Sequence, residues 1–314
     1  MREQWMETLR EFFFAQTIDA REVDQIVRFK HRYIPKRLFK YREVSEYSLS
    51  NLSNDTLWCA RADSFNDPYD CALSVELSPL CELAVTSARK LGFFTLDEIG
   101  SIEQAEDPMQ KLLELSASKN TGVPAEQFYA LRDKVEEARA TAKFGILDKM
   151  NNGLRNAYKI CSLCQRIDSL LMWSHYTRNH QGFAMEYDFT RLPQQSPVAR
   201  LLWPVIYDEK IYDASHVFVR KSPDDPVNNL FAVGAAIHKG LDWQYEQEWR
   251  IVVPDGENEP PQNIPVPKPI AVYLGAAIEP ETAEKVIGIA DSKGIPVFKM
   301  QLSRSEFKMV PISI

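Results

Sequence analysis

The residues Trp243-Gln244-Tyr245-Glu246-Gln247-Glu248-Trp249-Arg250 run without a break into Ile251-Val252-Val253. The β-branched apolar run predicts a buried strand. In an extended chain Glu246, Glu248 and Arg250, spaced two apart, point to the same face. Two acids and a base beside large aromatic rings cost free energy in a core unless they are paired or put to use. Any fold that buries this strand must match those charges, and the segment is the candidate site.

The pattern along the rest of the chain predicts an α+β protein with a mixed, split β-sheet core. Strand character falls at Leu38–Arg42, Thr56–Ala60, Tyr158–Leu163, Gly182–Tyr187, Arg200–Tyr207, Trp249–Val253, Ile270–Leu274 and Pro296–Met300. Helices are expected at Ser169–His175, Asn228–His238 and Glu281–Asp291. Residues 1–35 read as an N-terminal helical appendage that packs on the main domain or on a protein partner. Residues 36–314 read as one α+β domain, with a helical insertion at about 80–153 that includes a long helix over Ala125–Met150, rich in Ala, Glu, Lys and Leu. Ser64-Phe65-Asn66-Asp67-Pro68-Tyr69-Asp70 reads as a loop, because Pro keeps the residue before it out of the helical region.

Composition excludes several classes. A formal net charge of −7 argues against generic nucleic-acid binding, which favours a basic balance. The cationic run Arg28–Arg37 reads as a solvated face. Five cysteines at irregular spacing make no disulfide framework, and Cys161-Ser162-Leu163-Cys164 lacks the second pair of a structural zinc site, so these read as ordinary buried cysteines. No stretch approaches the roughly 18 apolar residues of a membrane span, and no secretory signal opens the chain. The expected setting is a reducing cytoplasm, with no membrane contact. Gly-rich phosphate loops and His-Glu-x-x-His are absent.

Met172-Trp173-Ser174-His175-Tyr176-Thr177-Arg178 places indole, imidazole, phenol and guanidinium in one short segment before Gly182. Such a set can hold a planar, charged ligand by stacking and hydrogen bonding, or it can fill the core at a helix end.

Three groups of residues taken together resemble the bacterial domain-of-unknown-function family 2971. They are Leu38–Arg42 with Leu57-Trp58 and Ser64–Asp70; Cys164 with Met172–Tyr176 and Gly182-Phe183; and Trp243–Ile251. The resemblance spans residues 38 to about 275 and names no activity. More loosely, the order of these segments is similar to the ADP-ribosyltransferase fold, in particular its DNA-modifying toxin branch. That likeness implies a split β-core that holds NAD as substrate, with no metal. It implies Glu248 as the catalytic acid and Glu246 as the acceptor-orienting carboxylate. Lys40, Tyr41 and Arg42 of the first strand, Asn66, Asp67, Trp173, His175, Tyr176 and Arg250 would then line the nucleotide site. The chain departs from that fold in having no Ser-Thr-Ser strand.

Three functions stay open at this point. The first is an ADP-ribosyltransferase-like or NAD-glycohydrolase-like enzyme, of use to a bacterial toxin or a phage-defence effector. The second is a non-catalytic nucleotide-sensing or protein-interaction module, with residues 1–35 as a docking arm. The third is a metal-dependent nuclease using Asp67, Asp70, Glu246 and Glu248, since paired carboxylates suit a hard metal.

Overall fold

A strand that must serve two neighbours on one edge organises this protein. In the computed structural model, which describes residues 4–75, 89, 92, 94–119, 145, 147–218 and 228–314, that strand is Tyr158–Cys164. In chain order the described elements begin with helices α1 (Gln4–Phe14) and α2 (Ala20–His31), strand β1 (Leu38–Arg42), helix α3 (Glu46–Asn54) and strands β2 (Thr56–Arg61) and β3 (Leu73–Ser74). Helices α4 (Leu96–Glu103) and α5 (Pro108–Lys119) precede β4 (Tyr158–Cys164), helix α6 (Leu170–Tyr176) and β5 (Phe183–Tyr187). Then follow α7 (Pro197–Leu201), β6 (Leu202–Pro204), β7 (Ile206–Asp208), β8 (Tyr212–Asp213), α8 (Ser215–Phe218), α9 (Phe231–Ile237) and β9 (His238–Gly240). The last elements are β10 (Glu248–Pro254), β11 (Gln262–Pro265), β12 (Ala271–Leu274), α10 (Pro280–Ser292), β13 (Val297–Leu302) and β14 (Met309–Ser313). The fold is α+β with a mixed sheet, as the pattern predicts.

Strand β10 pairs antiparallel with β4 along its whole length, from Glu248↔Cys164 to Pro254↔Tyr158. The other edge of β4 is divided. Its first residues pair with β2 (Ala60↔Ile160, Arg61↔Lys159), and its last pairs with β1 (Phe39↔Cys164). The sheet therefore forks between β1 and β2. One arm continues from β2 to β11, the other through β1, β5, β12, β13 and β14.

Alternation along the strands sorts the cores. Trp249 and Ile251 of β10 join Leu163, Met185, Val272 and the α10 residues Val286 and Ala290 on one face. Val252, on the opposite face, meets Phe13, Ile26, Trp203 and Ala236. Each such large side chain, removed from water, contributes about 1.5–3 kcal/mol. The N-terminal helices share in this second core. Asp19 caps α2 with a reciprocal Glu22 contact, and the buried Lys30 ammonium donates to the Ala199 and Leu202 carbonyls. Trp5 stacks on Tyr33 and lies against Trp249.

Three details differ from expectation. The single strand expected over Arg200–Tyr207 is a helix end followed by two short strands, because Pro204 has no N–H to carry a ladder onward. Strands β3, β8, β9, β11 and β14 are additional, β11 being polar and β14 carrying Pro311. The long helix expected over Ala125–Met150 lies largely outside the described residues.

The turn from α6 to β5 has unusual backbone. Arg178, Asn179 and His180 have φ of 50°, 56° and 66°, three consecutive left-handed residues without a glycine. Such conformations cost of order 1–3 kcal/mol each and persist only when their surroundings fix them. Here Asn179 N–H donates to Ser174 O, His180 N–H to Trp173 O and Gln181 N–H to Thr177 O. Glycines complete the fit: a Cβ on Gly182 would strike the Arg42 carbonyl, and one on Gly275 the His180 carbonyl. This close approach seats the end of α6 beside Arg42.

Candidate functional site

The fork in the sheet opens into a cavity of about 390 Å³, within the range of small-molecule sites. Lys40, Tyr41, Arg42, Asn66, His175, Tyr176, Glu246, Glu248 and Arg250 all line it. Two expected residues stand apart. Trp173 is fully buried, its indole N–H donating to the Ile167 carbonyl and its ring edge-on to Tyr41, so no face is open to a ligand. Asp67 is buried too, accepts from the Tyr69 N–H and lines a separate cavity.

Glu246 and Glu248 do not reach their places as neighbours on one extended strand. Glu246 ends a 3-10 turn, Leu241–Glu246, and Gln247 is left-handed at φ 45°, so the strand starts only at Glu248. Both carboxylates nevertheless meet at one cation. The Lys239 ammonium lies 2.5 Å from Glu246 Oε2 and 3.1 Å from Glu248 Oε2. Arg250 Nε and Nη2 hold Glu248 at 3.0 and 3.2 Å in a two-pronged contact. The same Nη2 lies 2.7 Å from Asp70 Oδ1, while Nη1 donates to the Ala236 carbonyl at 2.7 Å. Tyr176 donates its hydroxyl to Glu246 Oε1 at 2.5 Å, and the Glu248 N–H donates to the Tyr207 hydroxyl at 2.8 Å. Lys239 also sits 4.6 Å from the centre of the Trp243 ring.

Three carboxylates thus face two cations in a volume closed to solvent; the Arg250 and Asp70 side chains are 0% and 1% exposed. With all five ionised the cluster carries excess negative charge, and the acids divide the burden unequally. Burial opposes ionisation of Glu248, but Arg250 and Lys239 outweigh it and hold this carboxyl well below the ordinary range. Burial, with Glu248 beside it, raises Glu246 above the ordinary range despite Lys239 and the Tyr176 hydroxyl. Glu248 is the fixed charge, while burial raises both Glu246 and Asp70 above the ordinary carboxyl range.

That asymmetry predicts a pH effect. The Tyr176 hydroxyl stabilises the charged form of Glu246, so Tyr176→Phe is expected to raise the Glu246 pKa further. Carbon-13 NMR of the Glu246 carboxyl should show its titration midpoint moved to higher pH, while Glu248 stays ionised. An unmoved Glu246 midpoint would remove Tyr176 from the account.

Lys239 and Tyr207 carry no motif signal, and Lys239 lies just past the apolar end of α9, Ala235-Ala236-Ile237. Their roles come only from the pairing of β7 with β9, which sets Tyr207 opposite Lys239. Trp58 likewise appears at the cavity wall only through the fork. Among the described residues no group of three or more His, Cys, Asp or Glu side chains could hold a metal ion; of the four carboxylates of the nuclease reading, Asp70, Glu246 and Glu248 are paired with Lys239 or Arg250, and Asp67 lies apart. The pKa of the fully buried Cys161 thiol is lowered by its neighbour Cys59, against burial and with help from Lys40 and Arg42. No described helix is long and apolar enough to cross a membrane.

No curated protein and no solved structure matches the chain. One comparison does, and it falls on the segment that builds most of this cluster. Residues 172–251 match the model of the family described as protein of unknown function (DUF2971), and the matched stretch includes His175, Tyr176, Lys239, Glu246, Glu248 and Arg250.

Proposed function

We propose that the inner cavity cleaves the glycosidic bond between nicotinamide and ribose in NAD, passing the ADP-ribosyl group to an acceptor hydroxyl or to water. The observation that carries this reading is the meeting of Arg42, Tyr176, Glu246 and Glu248 on one cavity whose buried charge is in negative excess.

The reaction moves positive charge. As the C1′–N bond breaks, its electron pair leaves with the ring, which becomes neutral nicotinamide, and the cation develops on the ribose. A carboxylate kept ionised by fixed neighbours stabilises that cation without reorganising. Glu248 meets this requirement. The incoming hydroxyl attacks C1′ and loses its proton, and Glu246, with its raised affinity for a proton, receives it. Tyr176 orients Glu246 through its hydroxyl. Arg250 and Lys239 hold the two acids rather than touch the substrate.

The test is to incubate the purified protein with NAD, alone and with cell extract, and to follow free nicotinamide by chromatography. Release above the protein-free control supports the reading. A folded protein that neither binds NAD in calorimetry nor releases nicotinamide rules it out, and tight binding without release favours a nucleotide sensor.

A further inference from the structure

Beyond the inner cavity lies a second, outer chamber of about 910 Å³. The two share Lys40, Tyr41, Arg42, Trp58, His175 and Tyr176 as lining, so they adjoin at a common wall. The outer chamber differs in charge. Three cations, Lys40, Arg42 and Arg178, line it against a single acid, Glu43. Among the described residues neither Arg42 nor Arg178 enters an ion pair with a carboxylate.

The two guanidiniums reach the chamber from different elements. Arg42 ends β1, and Arg178 opens the left-handed turn after α6. Surface arginines ordinarily ride on relaxed backbone, whereas Arg178 is carried by three consecutive strained residues anchored through Ser174, Trp173 and Thr177. Trp58, on the β2 arm of the fork, is 38% exposed and presents indole to the same space.

We propose that the outer chamber binds the diphosphate of a nucleotide, with Arg42 and Arg178 as a two-sided clamp and Trp58 as the surface on which its base stacks. Guanidinium forks match phosphate oxygens in pairs, and two forks on separate elements suit two linked phosphates better than one carboxylate. An exposed indole offers a face to any base. Asn51 and Asn263, joined by a side-chain hydrogen bond at 2.8 Å on the same wall, give the chamber a fixed polar floor for sugar hydroxyls. This extends the reading of the inner cavity and rests on it only for what the inner end of the ligand is.

The experiment is calorimetry on the full chain with three probes: ADP, inorganic pyrophosphate and adenosine. ADP is expected to bind, more weakly as salt rises. Arg178→Gln and Arg42→Gln should each weaken ADP and pyrophosphate by about 10- to 100-fold, the worth of a charge-assisted contact. Arg178→Lys should fall between wild type and Arg178→Gln, because charge without the fork remains. Trp58→Ala should weaken ADP by about tenfold or more and leave pyrophosphate unchanged. Arg178 is exposed, so a folded variant is expected, confirmed by an unchanged melting temperature. Failure of ADP to bind, or equal ADP affinity in wild type and both glutamine variants, overturns the clamp. ADP binding lost in these variants without any nicotinamide release from NAD upholds the outer chamber while the glycosidic reading falls.

Discussion

Glu248→Gln is expected to lower nicotinamide release from NAD by about 10²–10³-fold while the protein stays folded, the scale seen when one preorganised electrostatic group is removed. The fold should survive because charge balance improves. With Gln at 248, Asp70 and Glu246 face Arg250 and Lys239 one for one, and the amide oxygen still accepts from Arg250. What disappears is the fixed negative charge for the ribose cation. Steady-state kinetics with a parallel thermal melt separates the two. An unaltered rate would move the chemistry away from Glu248, and a collapsed melt would make its role structural.

Arg250→Met should do the reverse. The side chain is fully buried and contacts Glu248, Asp70 and the Ala236 carbonyl at once. Removing one partner of a buried charge network leaves the others unpaired in a low-dielectric interior, which destabilises by about 3–5 kcal/mol. Chemical denaturation should show the midpoint falling without a change in slope. Adding Asp70→Asn and Glu248→Gln to Arg250→Met should recover much of the loss, since replacing a whole buried network is often neutral. No recovery would mean that Arg250 stabilises through packing rather than through its charge.

The strands were legible where β-branched and aromatic residues cluster, as in Trp249–Val253 and Ile270–Leu274, because burial on a pleated surface selects those residues directly. They were not legible at Gln262–Pro265 and Met309–Ser313, whose polar and Pro-bearing sequences are tolerated at or near sheet edges. At the site, Glu246, Glu248 and Arg250 betrayed themselves by placing charge against an apolar strand. Their partners did not. Lys239 meets the acids through the β7–β9 pairing together with the 3-10 turn and the left-handed Gln247, and Asp70, given a site role only in the nuclease reading, comes from the loop before β3. Trp173 misled for a related reason: an aromatic beside His175 and Tyr176 in sequence turns inward, because neighbours on a helix face different ways.

The ion pair between Asp70 and Arg250 has a consequence for where this protein can be cut. The stretch that matches the family begins at residue 172, after Asp70, β1, β2 and β4 have been made. Expressed alone, it would end at Ile251, keeping β6 beside β10 but losing β4, and the Asp70 countercharge of Arg250 would be missing. The charge cluster is therefore wider than the stretch that sequence likeness marks out, and synthesis must run from Asp70 through Arg250 before it can close.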